Sequence, residues 1–117
     1  MSVVIWIDRE HAKIFNISSE KIERKNVQAR HTDHHTHRFD QFDEAQHEKK
    51  FFSEVASHLL STDRLLIVGP GVAKHHFQSH LVEQWPLLAK QVAGCETVDH
   101  PTDHQIAATA KRFFSLA

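Results

Sequence analysis

Five apolar residues in succession, Val3, Val4, Ile5, Trp6 and Ile7, stand near the front of the chain and stop at Asp8. A half-exposed strand alternates apolar and polar side chains, so an unbroken β-prone run predicts a strand covered on both faces. Such a strand belongs at the centre of a sheet with further layers on each side. Arg64 to Val68 has the same character and predicts a second buried strand. The remaining segments must supply the cover.

Ala12 to Ile17 and Lys21 to Gln28, parted by Ser18, Ser19 and Glu20, read as two more strands that complete a meander with the first. Lys21 to Gln28 carries charge on both parities, which fits an edge strand. Phe51, Phe52, Val55, Ala56, Leu59 and Leu60 repeat at the spacing of one helical stripe. Gly69-Pro70-Gly71 predicts a sharp turn into a helix carrying Phe77 and Leu81. Pro86 opens a short helix through Leu88 and Val92, with Gly94 ending it before a strand from Cys95 to Val98. Thr102 and Gln105 have capping-box spacing ahead of the stripe Ile106, Ala110, Phe113 and Phe114. The order βββαβαβα predicts an α/β fold, a mixed sheet with helices on both faces and right-handed crossovers. At 117 residues and 40% hydrophobic composition, the chain fits a single domain with its own core, residues 1 to 117.

Fourteen basic against fifteen acidic residues leave a formal charge of -1, so no chain-wide attraction to a polyanion is expected and DNA is not an expected partner. The twelve His are the compositional outlier, since imidazole both titrates near neutrality and ligates metals. Cys95 is the only cysteine, which excludes an intrachain disulfide and a multi-cysteine zinc framework and points to the cytoplasm. The opening apolar run is too short for a membrane span or signal-peptide core, so no membrane partner is expected.

Four groups of residues are candidates for function. His31, Asp33, His34, His35 and His37 lie in a polar stretch, Arg30 to Asp43, predicted to be a mobile loop, and are candidate ligands for a divalent metal such as zinc. The competing reading is solvation with adventitious binding, because a flexible run loses much entropy in enclosing an ion. Arg30, His31, His34, His35, His37 and Arg38 are alternatively an RNA- or partner-binding set, with Lys21, Arg24 and Lys25 extending it. Gly69, Gly71 and Lys74 form a candidate anion site, against which stands the plain reading of a tight strand-to-helix turn. Asp8, Asp99, His100 and Asp103 combine acid and base for a hydrolase, although helix capping also explains Thr102 and Asp103. His76 and His80 stand one helical turn apart without an HExxH context, where the boundary between core and solvent is expected to run. Asp8, the Gly-Pro-Gly corner and residues 99 to 103 are expected to share one rim of the sheet, with the histidine-rich arm projecting elsewhere.

The element order, with Gly69-Pro70-Gly71-Val72-Ala73-Lys74 and Val98-Asp99-His100-Pro101-Thr102-Asp103, resembles bacterial translational machinery proteins related to the middle domain of archaeal and eukaryotic peptide release factors and Pelota. The resemblance covers nearly the whole chain. It implies a three-layer ribonuclease H-like fold with a five-stranded sheet in order 3-2-1-4-5, strand 2 antiparallel, and a connection to ribosomes. Release factors carry a Gly-Gly-Gln tripeptide after the third strand, and no such tripeptide occurs here, so peptidyl-tRNA hydrolysis does not carry over. Pelota-like domains also lack it. The expected function is therefore a non-enzymatic, translation-associated one, with the 30 to 43 loop touching ribosomal RNA or a ribosome-bound factor. A metal- or phosphate-dependent hydrolase and a metal-binding or pH-sensing protein are the alternatives.

Overall fold

The computed structural model describes residues 1–18, 21–29 and 41–115, for 41–45 the backbone only. Its elements are β1 (Ser2–Ile7), β2 (His11–Ile17), β3 (Ile22–Gln28), α1 (Gln41–Ser57), β4 (Arg64–Gly69), α2 (Ala73–Gln84), α3 (Pro86–Ala89), β5 (Val92–Thr97) and α4 (Asp103–Phe114). One sheet runs β3-β2-β1-β4-β5. β2 is antiparallel to both β1 and β3, while β1, β4 and β5 are mutually parallel. The sheet order and the single reversed strand are those the resemblance implied.

Every residue of β1 is buried. Val3, Ile5 and Ile7 enter a core shared with Phe51, Phe52 and Val55 of α1 and Phe77 and Leu81 of α2. Val4 and Trp6 face the other way, with Phe15, Leu66 and Val68, against Ile106, Ala110 and Phe114 of α4. Both faces of the sheet are thus filled, which explains the unbroken apolar run. β3 has only Val27 buried, as befits an edge.

Three boundaries differ from expectation. α1 begins at Gln41, well before Phe51, and takes residues 41–43 out of the predicted loop. Its early turns contain good helix formers but few apolar residues, so periodicity was silent there. Leu60 lies past the helix and is 63% exposed, Leu59 taking the last inward place. β5 starts at Val92, and Gly94 sits inside the strand rather than ending a helix. The reason is steric, since a Cβ at Gly94 would lie 2.7 Å from Cζ of Phe113. Phe113 packs over this outer strand and stays 38% exposed. The capping box is present: Thr102 Oγ1 accepts from the Gln105 amide at 3.1 Å, and Gln105 Oε1 accepts from the Thr102 amide at 2.9 Å.

Two glycines at the end of β4 have separate tasks. A Cβ on Gly69 would collide with the Ile7 carbonyl oxygen, so its absence permits β4 to lie against β1. Gly71 has open space but a φ of 61°, where other residues are strained. Gly69→Ala is expected to destabilise by about 2 kcal/mol or more, through backbone displacement. Gly71→Ala should cost about 1 kcal/mol, through strain alone. Urea unfolding of the two variants tests the ranking, and a Gly69→Ala protein as stable as the parent would refute the contact.

Candidate functional site

The carboxyl ends of β1, β4 and β5 meet along one rim. Trp6 Nε1 donates to the Asp99 carbonyl at 3.1 Å, and the Val98 amide donates to the Gly69 carbonyl at 3.0 Å. Between β1 and α2 the rim opens into a cleft of about 620 Å³ lined by Asp8, Arg9, Glu10, His11, Pro70, Gly71, Val72, Ala73 and His76. Ligands of open α/β sheets gather at this end of the strands. Sequence reasoning picked out Asp8, Gly71 and His76 but passed over Arg9, Glu10, His11 and Val72. Nothing marks those four in the sequence except their place next to Asp8 and the Gly-Pro-Gly turn.

The residues that enclose the segment 30–40 also belong to this rim. The Ala29 amide donates to the Glu10 carbonyl at 2.7 Å, so β3 ends beside the cleft. α1 runs parallel to α2, with Glu48 Oε2 3.5 Å from Nδ1 of His76, a cleft residue. The turn after α1 lies at the opposite end of the sheet, where the amides of Asp63 and Arg64 donate to the Met1 carbonyl. α1 therefore starts on the rim side. The segment's two attachment points, after Ala29 and before Gln41, thus stand on the rim side, while the course of the arm, expected to project elsewhere, lies outside the described residues. With β2 reversed between β1 and β3, β3 must end where β1 ends. Arg30, His31, Asp33, His34, His35, His37 and Arg38 themselves lie outside the described residues.

The carboxylates of Asp8 and Asp103 are both engaged, each with different partners. Asp8 Oδ1 accepts from the amides of Glu10 at 2.9 Å and His11 at 2.7 Å, closing the β1–β2 turn. Asp103 binds Lys13 Nζ at 3.3 Å and the Arg24 guanidinium. The Asp99 carbonyl is taken by Trp6, and the His100 ring lies 5.6 Å from the Trp6 ring. Among the described residues no three His, Cys, Asp or Glu converge in a way that would hold a metal ion.

The other candidates also have structural partners. Lys74 is buried, and its ammonium donates to the Gly71 carbonyl, tying the turn to the first turn of α2. Arg24 is held by Asp103, Lys21 lies 3.2 Å from Glu23, and Lys25 Nζ is 3.3 Å from Nδ1 of His58. Cys95 Sγ is 4.0 Å from Nδ1 of His75, and burial raises its pKa against the opposing pull of Lys74, with Glu96 adding to the rise. That environment disfavours a thiolate. His76 is exposed and His80 is buried, so the core boundary does pass between them.

No protein-family model and no curated protein matches this chain. Solved structures do. Pelota of Archaeoglobus fulgidus superposes with a TM-score of 0.68 at 23% identity, over 95% of this chain and 30% of that one. Pelota of Thermoplasma acidophilum gives 0.66 at 18% identity, over 99% and 32%. An archaeal translation termination factor gives 0.64 at 19% identity, over 93% and 32%. The likeness is one of fold, and the chain spans about a third of the length of each neighbour.

Asp103 generates a pH prediction. Partial burial alone would raise its carboxyl pKa, but hydrogen bonds from Arg24 and Lys13 and their charges outweigh that, and the carboxyl is held below its ordinary value of 3.8. Its contribution to stability is complete above that ordinary value and is lost as pH falls through the lowered one. Asp103→Asn is expected to be less stable than the parent at neutral pH, with the gap closing in strong acid. Urea midpoints at about pH 7 and about pH 2.5 measure it, and a gap unchanged by acid would contradict the assignment.

Proposed function

We propose that this chain is a non-enzymatic, translation-associated protein that contacts ribosomal RNA or a ribosome-bound factor through residues 30–43. The observation that carries the reading is the rooting of that segment. Its two attachment points, Ala29 at Glu10 and α1 beside α2, stand on the rim that also holds the cleft. Residues 30–40 bring Arg30 and Arg38, four imidazoles and an Asp between them. Guanidinium groups suit phosphate oxygens, and imidazoles stack on unpaired bases or gain protons beside phosphate.

The neighbours supply the biological direction: two are Pelota proteins and one is a translation termination factor. The chain contains no Gly-Gly-Gln, so the part of a release factor that enters the peptidyl-transferase centre has no counterpart in its sequence. The basic residues of β3 lend little help to the segment. Arg24, Lys21 and Lys25 already have partners within the protein, so an incoming phosphate would have to displace them. Contact is thereby concentrated on residues 30–43, and the compartment that fits is the cytoplasm.

Co-sedimentation of the purified protein with ribosomes tests this. Binding is expected to fall by about tenfold or more when His34, His35 and Arg38 are replaced together by Ala, the fold of the variant being checked by circular dichroism. It is also expected to weaken steeply with salt, as phosphate contacts do. A protein that fails to sediment, or a triple variant that sediments like the parent, overturns the proposal.

A further inference from the structure

The seam between α1 and α2 is apolar at its base and titratable at its mouth. Phe52 of α1 meets Phe77 of α2 edge to face at 5.4 Å, and the His80 ring lies 5.6 Å from the Phe52 ring. His80 Nε2 is 3.2 Å from Oγ of Ser53, and the residue is only 7% exposed. Beside this ring is a cavity of about 290 Å³ lined by Glu48, Lys49, Phe52, His76, Ser79, His80 and Glu83. His80 therefore sits between an apolar wall on one side and two carboxylates on the other.

We infer that His80 is a proton-operated catch on the α1–α2 seam: the neutral ring bonds Ser53 and seals α1 down, and the protonated ring turns into the neighbouring cavity and releases it. Neutral imidazole can accept from or donate to Ser53 while packing on Phe52. Its protonated form carries a charge that the Phe52 wall cannot solvate. The adjoining cavity offers that charge the carboxylates of Glu83, from α2 itself, and Glu48, from α1. Lys49 of α1 and the protonated form of His76 oppose the move, and Glu48 is shared with His76 at 3.5 Å.

The direction of the titration agrees with the geometry. Burial pulls the His80 pKa below its ordinary 6.5 and Lys49 adds to this, while Glu83 and Glu48 pull the other way without winning. The folded seam thus binds fewer protons than an open one, and its hold weakens as pH falls from above 6.5 toward the lowered value. The catch matters because α1 is the element into which the histidine-rich segment leads.

Hydrogen exchange of the whole protein, corrected for intrinsic pH dependence, tests the catch at about pH 7.5 and about pH 5.5. Protection of the α1 amides is expected to fall at least about twofold more than that of α4, which packs on the opposite face. His80→Phe and His80→Gln, one keeping the ring and the other a polar partner for Ser53, should each abolish the difference. Glu83→Gln should move the NMR titration midpoint of the His80 ring further down. Equal loss of protection in α1 and α4, an α1 response that persists in both His80 variants, or a midpoint indifferent to Glu83 would each overturn the inference.

Discussion

The close approach of β4 to β1 is the constraint on which the remaining structure hangs. Gly69 lies against the Ile7 carbonyl with no room for a Cβ, and the parallel register Val3 with Leu65, Val4 with Leu66 and Ile5 with Ile67 follows from that contact upward. With the two central strands in register, their alternate side chains present two apolar faces, one for α1 and α2 and one for α4. The crossover helices can bury their stripes only because both faces are continuous there. The same pairing brings the ends of β1 and β4 to one level and so creates the rim.

At the rim, most polar groups serve the fold before they serve any ligand. Asp8 closes a turn, Lys74 staples another, and Asp103 links β2, β3 and α4 through Lys13 and Arg24. A charge cluster whose members satisfy one another presents little net field outward, in keeping with a chain of formal charge -1. The rim itself is concave, and Ala29 and the start of α1, which flank residues 30–40, stand beside it.

Histidines take different parts according to their surroundings. His100 packs on Trp6, His76 faces Glu48, His58 meets Lys25, and His80 is sealed beside Phe52 and Ser53. One residue type thus yields an aromatic contact, a carboxylate contact, a surface contact and a buried polar group. The high histidine count alone implies only responsiveness to mild acid; where that response acts depends on which rings are desolvated.

Much of the fold is legible in the chain because local pattern carries it. The run Val3 to Ile7, the turn Gly69-Pro70-Gly71, the Thr102 and Gln105 cap and the sparse apolar content of β3 each specify an element without reference to anything distant. Other features required the packed structure. The first turns of α1 contain too few apolar residues to show a period, and Gly94 reads as a terminator until Phe113 is placed over it. Pairings such as Arg24 with Asp103, 79 residues apart, leave no local trace. Sequence by itself determined the order of strands and helices, though not all their bounds, and that two strands are covered on both sides, since these depend on neighbours within a few residues. Only the tertiary structure decided that Lys13 and Arg24 hold Asp103, that a cleft opens between the β1–β2 turn and α2, and that His80 faces Ser53, because those depend on contacts between residues far apart in sequence.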